Sequence, residues 1–124
     1  MAQRVEIAGW DRLLRRLNDL PEDIHEGAVK AITDAANDVR DETRDTVRVD
    51  TGRARDGTVA RINAARLRAE VGWFDPDLYY MKFQEFGTEE ITANPALTLA
   101  AQRERRRFAQ RLSADVRAAL EGRL

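Results

Sequence analysis

Acidic side chains recur along one predicted helix of this chain, at a spacing that could bring several carboxylates together for metal binding. The members of this acidic row are Asp34, Asp38, Asp41 and Asp45. Residues three and four apart share one side of an α-helix, so the carboxylates form a line along it. Hard divalent cations need several oxygens that converge on one point, usually from a loop. We therefore interpret the acidic row as a solvated or partner-facing surface and predict no metal site.

The residue types that catalysis needs are scarce in this sequence. The chain has no cysteine and a single histidine, His25, which excludes disulfides, thiolate chemistry and multi-histidine metal sites. Asp77 and Glu85 could form an acid–base pair, but a nuclease site also needs a lysine close by, and Lys30 and Lys82 are the only lysines. The glycines are isolated, so no glycine-rich phosphate loop is present. We predict that the protein is not an enzyme and takes no cofactor.

The last part of the chain is basic and the segment before its middle is acidic. Residues 103–124 hold seven arginines against three acids, whereas residues 21–47 hold eight acids against three bases. Guanidinium groups favour planar pairing with carboxylates or phosphates. The arginines with a predicted interface role are Arg103, Arg105, Arg106, Arg107 and Arg117.

Three interpretations of these arginines remain: a solvated helix face, an acidic protein surface as partner, and a DNA backbone as partner. A pI near 5.9 and the lack of an aromatic stacking platform beside the arginines disfavour a dedicated nucleic-acid binder. Arg105 falls within the apolar stripe of its predicted helix, which fits an interface better than a monomer core. We favour pairing of the basic helix with the acidic row of a sister subunit. A nucleic-acid-binding module that uses the basic C-terminal helix is the alternative.

Length and composition predict one α+β domain over residues 1–124, a small antiparallel β-sheet packed by a long N-terminal-half helix and a C-terminal helix. Charged residues make up 35% and aromatic residues 6% of the chain, which indicates a thin core that completes itself against a partner. No apolar run is long enough to span a membrane, and no signal-peptide core is present, so we expect a soluble protein made in the cytoplasm.

Hydrophobic spacing predicts the individual elements. The predicted elements are a strand over Gln3–Ala8, a short helix over Trp10–Leu17, a helix from Pro21 to about Val47, a polar loop over Val49–Gly57, a hairpin over Thr58–Asn63 and Leu67–Trp73, a helix or turn over Leu78–Phe86, an edge strand around Ile91, and a helix from Pro95. The buried stripe of the first long helix is predicted to hold Ile24, Ala28, Ile32, Ala35, Val39 and Thr46. The corresponding stripe of the last helix is predicted to hold Leu97, Ala101, Phe108, Leu112, Val116 and Leu120. Six of the eight aromatic residues lie between Trp73 and Phe86, and we expect most of them in the core.

Two short motifs carry further information. The first, Val49-Asp50-Thr51-Gly52-Arg53, has the composition of a turn. The second, Glu85-Phe86-Gly87-Thr88, reads as a helix end, with Gly87 free to take the left-handed conformation. It follows a Tyr-rich segment and precedes Asn94-Pro95-Ala96-Leu97.

In order and spacing these motifs resemble the neck or tail-completion proteins of long-tailed double-stranded DNA phages. The resemblance spans roughly the whole chain, although Ala96 stands where that family more often has an aromatic residue. It implies a structural virion protein at the head–tail junction, which completes the tail or joins it to the head, with Glu85, Phe86, Gly87 and Thr88 positioning the last helix. By the same likeness, Arg53 is a contact residue, with Asp50, Thr51 and Gly52 beside it.

The partners implied are sister copies in a six- or twelve-fold ring, a head-side connector and the tail-tube protein. DNA would pass through the lumen without sequence recognition, and no membrane is involved. Assembly would take place in the host cytoplasm.

Overall fold

The structure is a computed structural model that describes residues 21–47, 52–89 and 93–122. Its elements, in chain order, are α1 (Glu22–Thr46), α2 (Arg53–Asp56), β1 (Thr58–Asn63), β2 (Arg68–Trp73), a 3₁₀ turn (Pro76–Leu78), α3 (Met81–Phe86) and α4 (Ala96–Leu120). Two long helices pack with a two-stranded antiparallel sheet. The predicted α+β fold class is confirmed.

Helix α1 begins after Pro21, whose carbonyl accepts hydrogen bonds from the amides of Ile24 at 3.0 Å and His25 at 3.1 Å. Glu22 and Asp23 lie in the first turn, where negative charge is favourable next to the positive end of the helix dipole. The side of α1 that faces the protein is made mainly of small residues. Its buried members are Gly27, Ala28, Ala31, Ile32, Ala35, Ala36, Val39 and Thr43.

Small residues let α1 and α4 approach each other closely. A Cβ atom at Gly27 would lie 2.7 Å from Cα of Val116 and 2.8 Å from the carbonyl oxygen of Asp115, so only glycine fits at this crossing. At the other end of α1, the Asn94 side chain just before α4 donates to the carbonyl of Thr46 at 3.3 Å. The two helices therefore run antiparallel, with the start of α1 beside the end of α4.

The hairpin pairs β1 with β2 in a register that places Thr58 opposite Trp73 and Asn63 opposite Arg68. Successive side chains alternate between the two faces of a strand. One face carries buried Thr58, Val71 and Trp73 toward the helices, whereas the other carries mainly polar residues. Leu67, in the connecting turn, has a positive φ of 50° and a side chain that is only 1% exposed.

The buried hydrophobic residues form two clusters. The first lies where the second half of α1, α2, β2, α3 and the start of α4 meet, and it includes Trp73, Met81 and Leu97. The second lies between α1 and α4, where Phe108 and Leu112 pack with Ile32 and with Leu67 from the hairpin turn. Alanines fill much of both clusters, so the core is thin, as the composition indicates.

Several details differ from the sequence-based expectations. The polar loop predicted up to Gly57 contains the short helix α2. Thr46 and Leu120 are exposed, and Thr43 is buried instead, with its hydroxyl donating to the carbonyl of Val39 at 2.7 Å. Of the six clustered aromatic residues only Trp73 is buried, so the expectation that most of them form the core is wrong. The predicted elements over Gln3–Ala8, over Trp10–Leu17 and around Ile91 lie outside the described residues.

Candidate assembly interface

A chain of alternating charges joins α4 to α1 along one side of the helix pair. The Glu42 carboxylate on α1 accepts hydrogen bonds from Arg103 Nε at 3.1 Å and from Arg107 Nη2 at 2.6 Å. The same Arg107 donates through Nε to Glu104 at 2.6 Å. Two of the arginines predicted to pair with a sister subunit therefore already pair within their own chain.

The centre of this arrangement is Glu104, whose side chain is fully buried. It accepts hydrogen bonds from Arg107 Nε and from Arg111 Nε, the latter at 2.8 Å. Arg111 also donates to Asp38, a member of the acidic row. We call this set the ionic network, and its members are Asp38, Glu42, Arg103, Glu104, Arg107 and Arg111.

Hydrogen bonding inside the network shifts the pKa values of three members, Glu42, Arg107 and Arg111. Partial burial raises the pKa of the Glu42 carboxyl, but the hydrogen bonds from Arg107 and then Arg103 outweigh burial and leave that pKa below its ordinary value. The pKa of Arg107 is raised by its hydrogen bonds to Glu42 and Glu104. Burial lowers the pKa of Arg111, but hydrogen bonds to Glu104 and Asp38 outweigh it, so the net shift is upward. The charged forms of Glu42, Arg107 and Arg111 are therefore favoured at neutral pH.

Glu104, which the sequence reasoning missed, occupies the place in the apolar stripe that was assigned to Arg105. Arg105 is exposed, so the prediction that it lies in the stripe is wrong. The series Leu97, Ala101, Glu104 and Phe108 follows helical spacing, and all four are buried. This helical spacing is the sequence signal that could have placed Glu104 in the buried stripe of α4.

The outward face of α4 carries a separate set of side chains. Its members are Leu99, Arg106, Gln110 and Arg117, all exposed and spaced to lie on one face. Among the described residues, no acid lies within ion-pair distance of Arg105, Arg106 or Arg117. These three arginines are the part of the basic helix that remains available to a partner.

The acidic row of α1 also contains both residues that pair within the chain and residues that are exposed. Asp38 belongs to the ionic network, and Asp34 lies 2.7 Å from Nζ of Lys30. Asp41 lies 3.0 Å from its neighbour Arg40, and Asp45 is exposed. Hydrogen bonding to Asp34 and the nearby charge of Asp115 raise the pKa of Lys30. Within the described part of the chain, Asp38 is the member of the row that pairs with α4, and Asp41 and Asp45 are its exposed members.

The second motif is a helix cap for α4. Glu85 is buried, and its carboxylate accepts hydrogen bonds from the backbone amides of Leu97 at 3.1 Å and Thr98 at 2.7 Å. These amides belong to the first turn of α4, which otherwise has no side-chain cap because Pro95 precedes it. A carboxylate there also interacts favourably with the helix dipole. Glu85 thus fixes α3 against the start of α4.

Gly87 ends α3 with φ 78° and ψ 167°. The positive φ agrees with the expectation, but the ψ value lies outside the left-handed helical region. It falls in a region that essentially only glycine adopts, so the chain reverses there without strain. Thr88, the last residue of the motif, is exposed.

An exposed aromatic face lies on the other side of α3 and the turn before it. Tyr79 is 66%, Phe83 37% and Phe86 72% exposed, and their spacing places them on one face. Met81 and Glu85, on the opposite face, are buried. Exposed aromatic groups of this kind are enriched at protein interfaces.

Only part of the first motif lies within the described residues, because Asp50 and Thr51 lie outside them. Gly52 has φ 83° and ψ −7°, a left-handed conformation that starts α2. Arg53 is exposed and lies 3.5 Å from Asp77. Helix α2 is held in place by Trp73, whose Nε1 donates to the carbonyl of Ala54 at 3.1 Å.

No group of three or more histidine, cysteine or acidic side chains is placed to hold a metal ion among residues 21–47, 52–89 and 93–122. Over the same ranges, no helix is both long and apolar enough to cross a membrane.

Residues 11–87 match a protein family described as "Bacteriophage HK97-gp10, putative tail-component". The chain belongs to this family. It is therefore a structural tail component of a phage, found in the virion, and the suspected phage tail or neck relationship is confirmed. No curated protein and no solved structure shows significant similarity to the chain. The HK97-gp10-like match contains the hairpin and the aromatic face, whereas α4 and its arginines lie beyond its end.

Proposed function

We propose that this protein forms a ring at the head–tail junction, as a neck or tail-terminating component. Sister copies are its first partners, and a head-side connector and the tail-tube protein are its neighbours on either side. The observation that carries the proposal is the opposite charge of two outward surfaces, α4 with Arg106 and Arg117, and α1 with Asp41 and Asp45.

A ring requires two different surfaces on each copy that fit one another. The ionic network already uses Arg103, Arg107 and Asp38 within the chain, so these residues hold the subunit together. The remaining charges lie on opposite long helices and point outward. Each copy can therefore present α4 to the α1 of the next copy, in the same sense around a closed ring.

The exposed aromatic face supports assembly independently of charge. Three aromatic side chains in contact with water are unfavourable in an isolated subunit. Tyr79, Phe83 and Phe86 would be covered in an assembled particle, which gives the thin-cored subunit additional apolar contact.

No observation favours the alternative of DNA binding through the C-terminal helix. Arg103 and Arg107 are engaged with Glu42, and Arg105 points away from the outward face that holds Arg106 and Arg117. The helix therefore does not present one continuous basic stripe.

The ring is tested by measuring the mass of the purified protein by analytical ultracentrifugation at low and high salt. We expect a closed oligomer at low salt that dissociates as salt rises, because exposed charge pairs are screened. The double substitution Arg106→Glu and Arg117→Glu should give monomers. The matched control, Arg61→Glu and Arg66→Glu on the hairpin, changes the charge equally and should leave the oligomer intact.

A second pair of substitutions, which reverses the charge on α1, provides the decisive test. Asp41→Arg with Asp45→Arg should also give monomers, and mixing the two charge-reversed proteins should restore hetero-oligomers. Failure of the mixture to associate, or a wild-type protein that stays monomeric at high concentration, contradicts the α4–α1 interface. In a host that produces separate heads and tails, the Arg106/Arg117 variant should fail to join them.

A further inference from the structure

We propose that the outer face of the β-hairpin binds the phosphodiester backbone of double-stranded DNA. This inference rests on the proposed ring for its biological setting, since a ring at the junction surrounds the DNA path. The binding surface itself belongs to the single subunit and can be tested without the ring.

The alternation of the strands places polar side chains on the hairpin face that is turned away from α1. The register sets Arg61 opposite Glu70 and Asn63 opposite Arg68. Arg66 lies in the connecting turn, and residues 61–66 are all exposed. Arg68 lies 3.7 Å from Glu70. Arg61 and Arg66 therefore supply the positive charge of this small area.

These side chains surround a shallow cavity of about 260 Å³, smaller than the pockets that usually hold drug-sized ligands. Its lining residues are Arg61, Ile62, Asn63, Arg66, Arg68 and Glu70. A site of this size suits a small anionic group. Guanidinium groups provide several planar N–H donors, which fit the oxygens of a phosphate.

Two features hold the arginines in place. The guanidinium carbon of Arg61 lies 3.8 Å from the ring centroid of Phe74, so this side chain is stacked rather than freely mobile. The turn is fixed because Leu67 keeps its positive φ while its side chain is buried in the core. A left-handed conformation is unfavourable for a residue other than glycine, so core packing must hold it there.

The turn is further tied by Asn63, whose side-chain oxygen accepts a hydrogen bond from the amide of Arg66 at 3.2 Å. Arg66 and Arg68 flank the buried Leu67 and therefore share its fixed position. A preorganised cluster of arginines loses less entropy when it binds a phosphate than a flexible cluster does.

This surface suits contacts to DNA phosphates better than contacts to DNA bases. Apart from Ile62 and Asn63, the lining side chains within the described residues are charged, and none of these is an aromatic group that could stack on bases. Binding should therefore be independent of sequence and sensitive to salt. Several copies in one ring would add their contacts, which raises the overall affinity.

The experiment measures fluorescence anisotropy of two unrelated DNA duplexes, titrated with the full-length protein at several salt concentrations between about 50 and 200 mM. We expect wild-type protein to bind both duplexes equally. The variant Arg61→Glu with Arg66→Glu should lose about tenfold or more in affinity and show a salt slope lower by roughly two. The milder variant Arg61→Gln with Arg66→Gln should show a smaller loss in the same direction.

The matched control is Arg55→Glu with Lys82→Glu, two exposed positions outside the hairpin, α1 and α4, which changes the net charge by the same amount. Melting curves from circular dichroism verify that every variant is folded. The proposal is overturned if wild-type protein does not bind at the lowest salt, if the hairpin and control variants lose equal affinity, or if only the control variant loses affinity.

Sedimentation of the same samples separates this proposal from the ring. Rings whose DNA affinity does not depend on the hairpin would contradict the hairpin surface and leave the ring standing. Monomers that bind DNA through Arg61 and Arg66 would contradict the ring and leave the hairpin surface standing.

Discussion

At the scale of single residues, Glu104 is the most informative position in the molecule. A carboxylate is rarely fully buried unless it is paired, because its hydration is lost. Here Arg107 and Arg111 both donate to it, and each also donates to an acid on α1. One buried charge thus positions two arginines that connect the long helices.

We predict that Glu104→Gln lowers the free energy of unfolding by roughly 2–4 kcal/mol, because two guanidinium groups lose their shared partner in a partly buried place. Glu104→Leu should be less harmful, since leucine continues the apolar stripe and the arginines can turn toward water. Urea unfolding of both variants at pH 7 measures the difference.

The surface substitution Glu26→Gln is the control for this pair and should change the stability by no more than about 0.5 kcal/mol. A Glu104→Gln protein as stable as wild type would show that the buried carboxylate contributes nothing to holding the helices together.

At the scale of elements, the connection between α3 and α4 depends on a cap supplied from twelve residues away. Helix α4 begins after Pro95, which cannot satisfy the amides of the first turn through a side chain. Glu85 does so from the end of α3, and Gly87 permits the reversal between them. Within the motif, Glu85 caps α4 and Gly87 reverses the chain, whereas Phe86 and Thr88 are exposed.

We predict that Glu85→Ala lowers the free energy of unfolding by about 1–2 kcal/mol, the usual cost of a lost helix cap. Asp75→Ala is a suitable control, because the Asp75 side chain accepts from the amide of Asp77 in a short exposed turn. Its loss should cost less. Thermal melting followed by circular dichroism compares the two, and an equal loss would argue against a special role for Glu85.

The sequence predicted those elements whose local pattern agrees with their tertiary setting. The long helices, the hairpin and the helix end at Phe86 all follow from hydrophobic spacing and turn residues. The burial of Thr43 instead of Thr46 differs by less than one helical turn, which spacing alone resolves poorly. Helix α2 escaped prediction because its position depends on Trp73, nineteen residues further along the chain.

The candidate site was only partly predictable, because its contacts join residues that are far apart in the sequence. Charge counts identified the basic and acidic segments but could not show which charges meet within one chain. Arg103 and Arg107 reach Glu42 only because Gly27 and the alanines bring α1 and α4 together. The exposure of Tyr79, Phe83 and Phe86 was also hidden, because an aromatic cluster in sequence resembles a core.

At the scale of the whole molecule, the ionic network makes stability depend on pH. The folded-state pKa of Glu42 is below its ordinary value of 4.5, so the stabilisation from its ionised form is complete above that value. It is lost as the pH falls through the lower folded-state value. Arg107 and Arg111 stay charged throughout, and their raised pKa values therefore add no change in this range.

We predict that wild-type stability decreases as the pH falls below 4.5, the ordinary pKa of the Glu42 carboxyl. Glu42→Gln should be less stable at pH 7 by about 0.5–1.5 kcal/mol and should approach wild type at low pH. Urea midpoints across this range provide the measurement. Parallel curves for the two proteins would mean that Glu42 contributes no pH dependence.

The glycine contact between the long helices has a mechanical consequence. Each helix has 25 residues and is therefore about 37 Å long. They are fastened near one end where Gly27 meets Val116, and near the other by Glu42 and Asn94. Because the two helices contact each other at two distant points, they resist sliding and twisting relative to each other. The pair would therefore behave as a rigid element, and a ring of such pairs would transmit an axial load without collapsing.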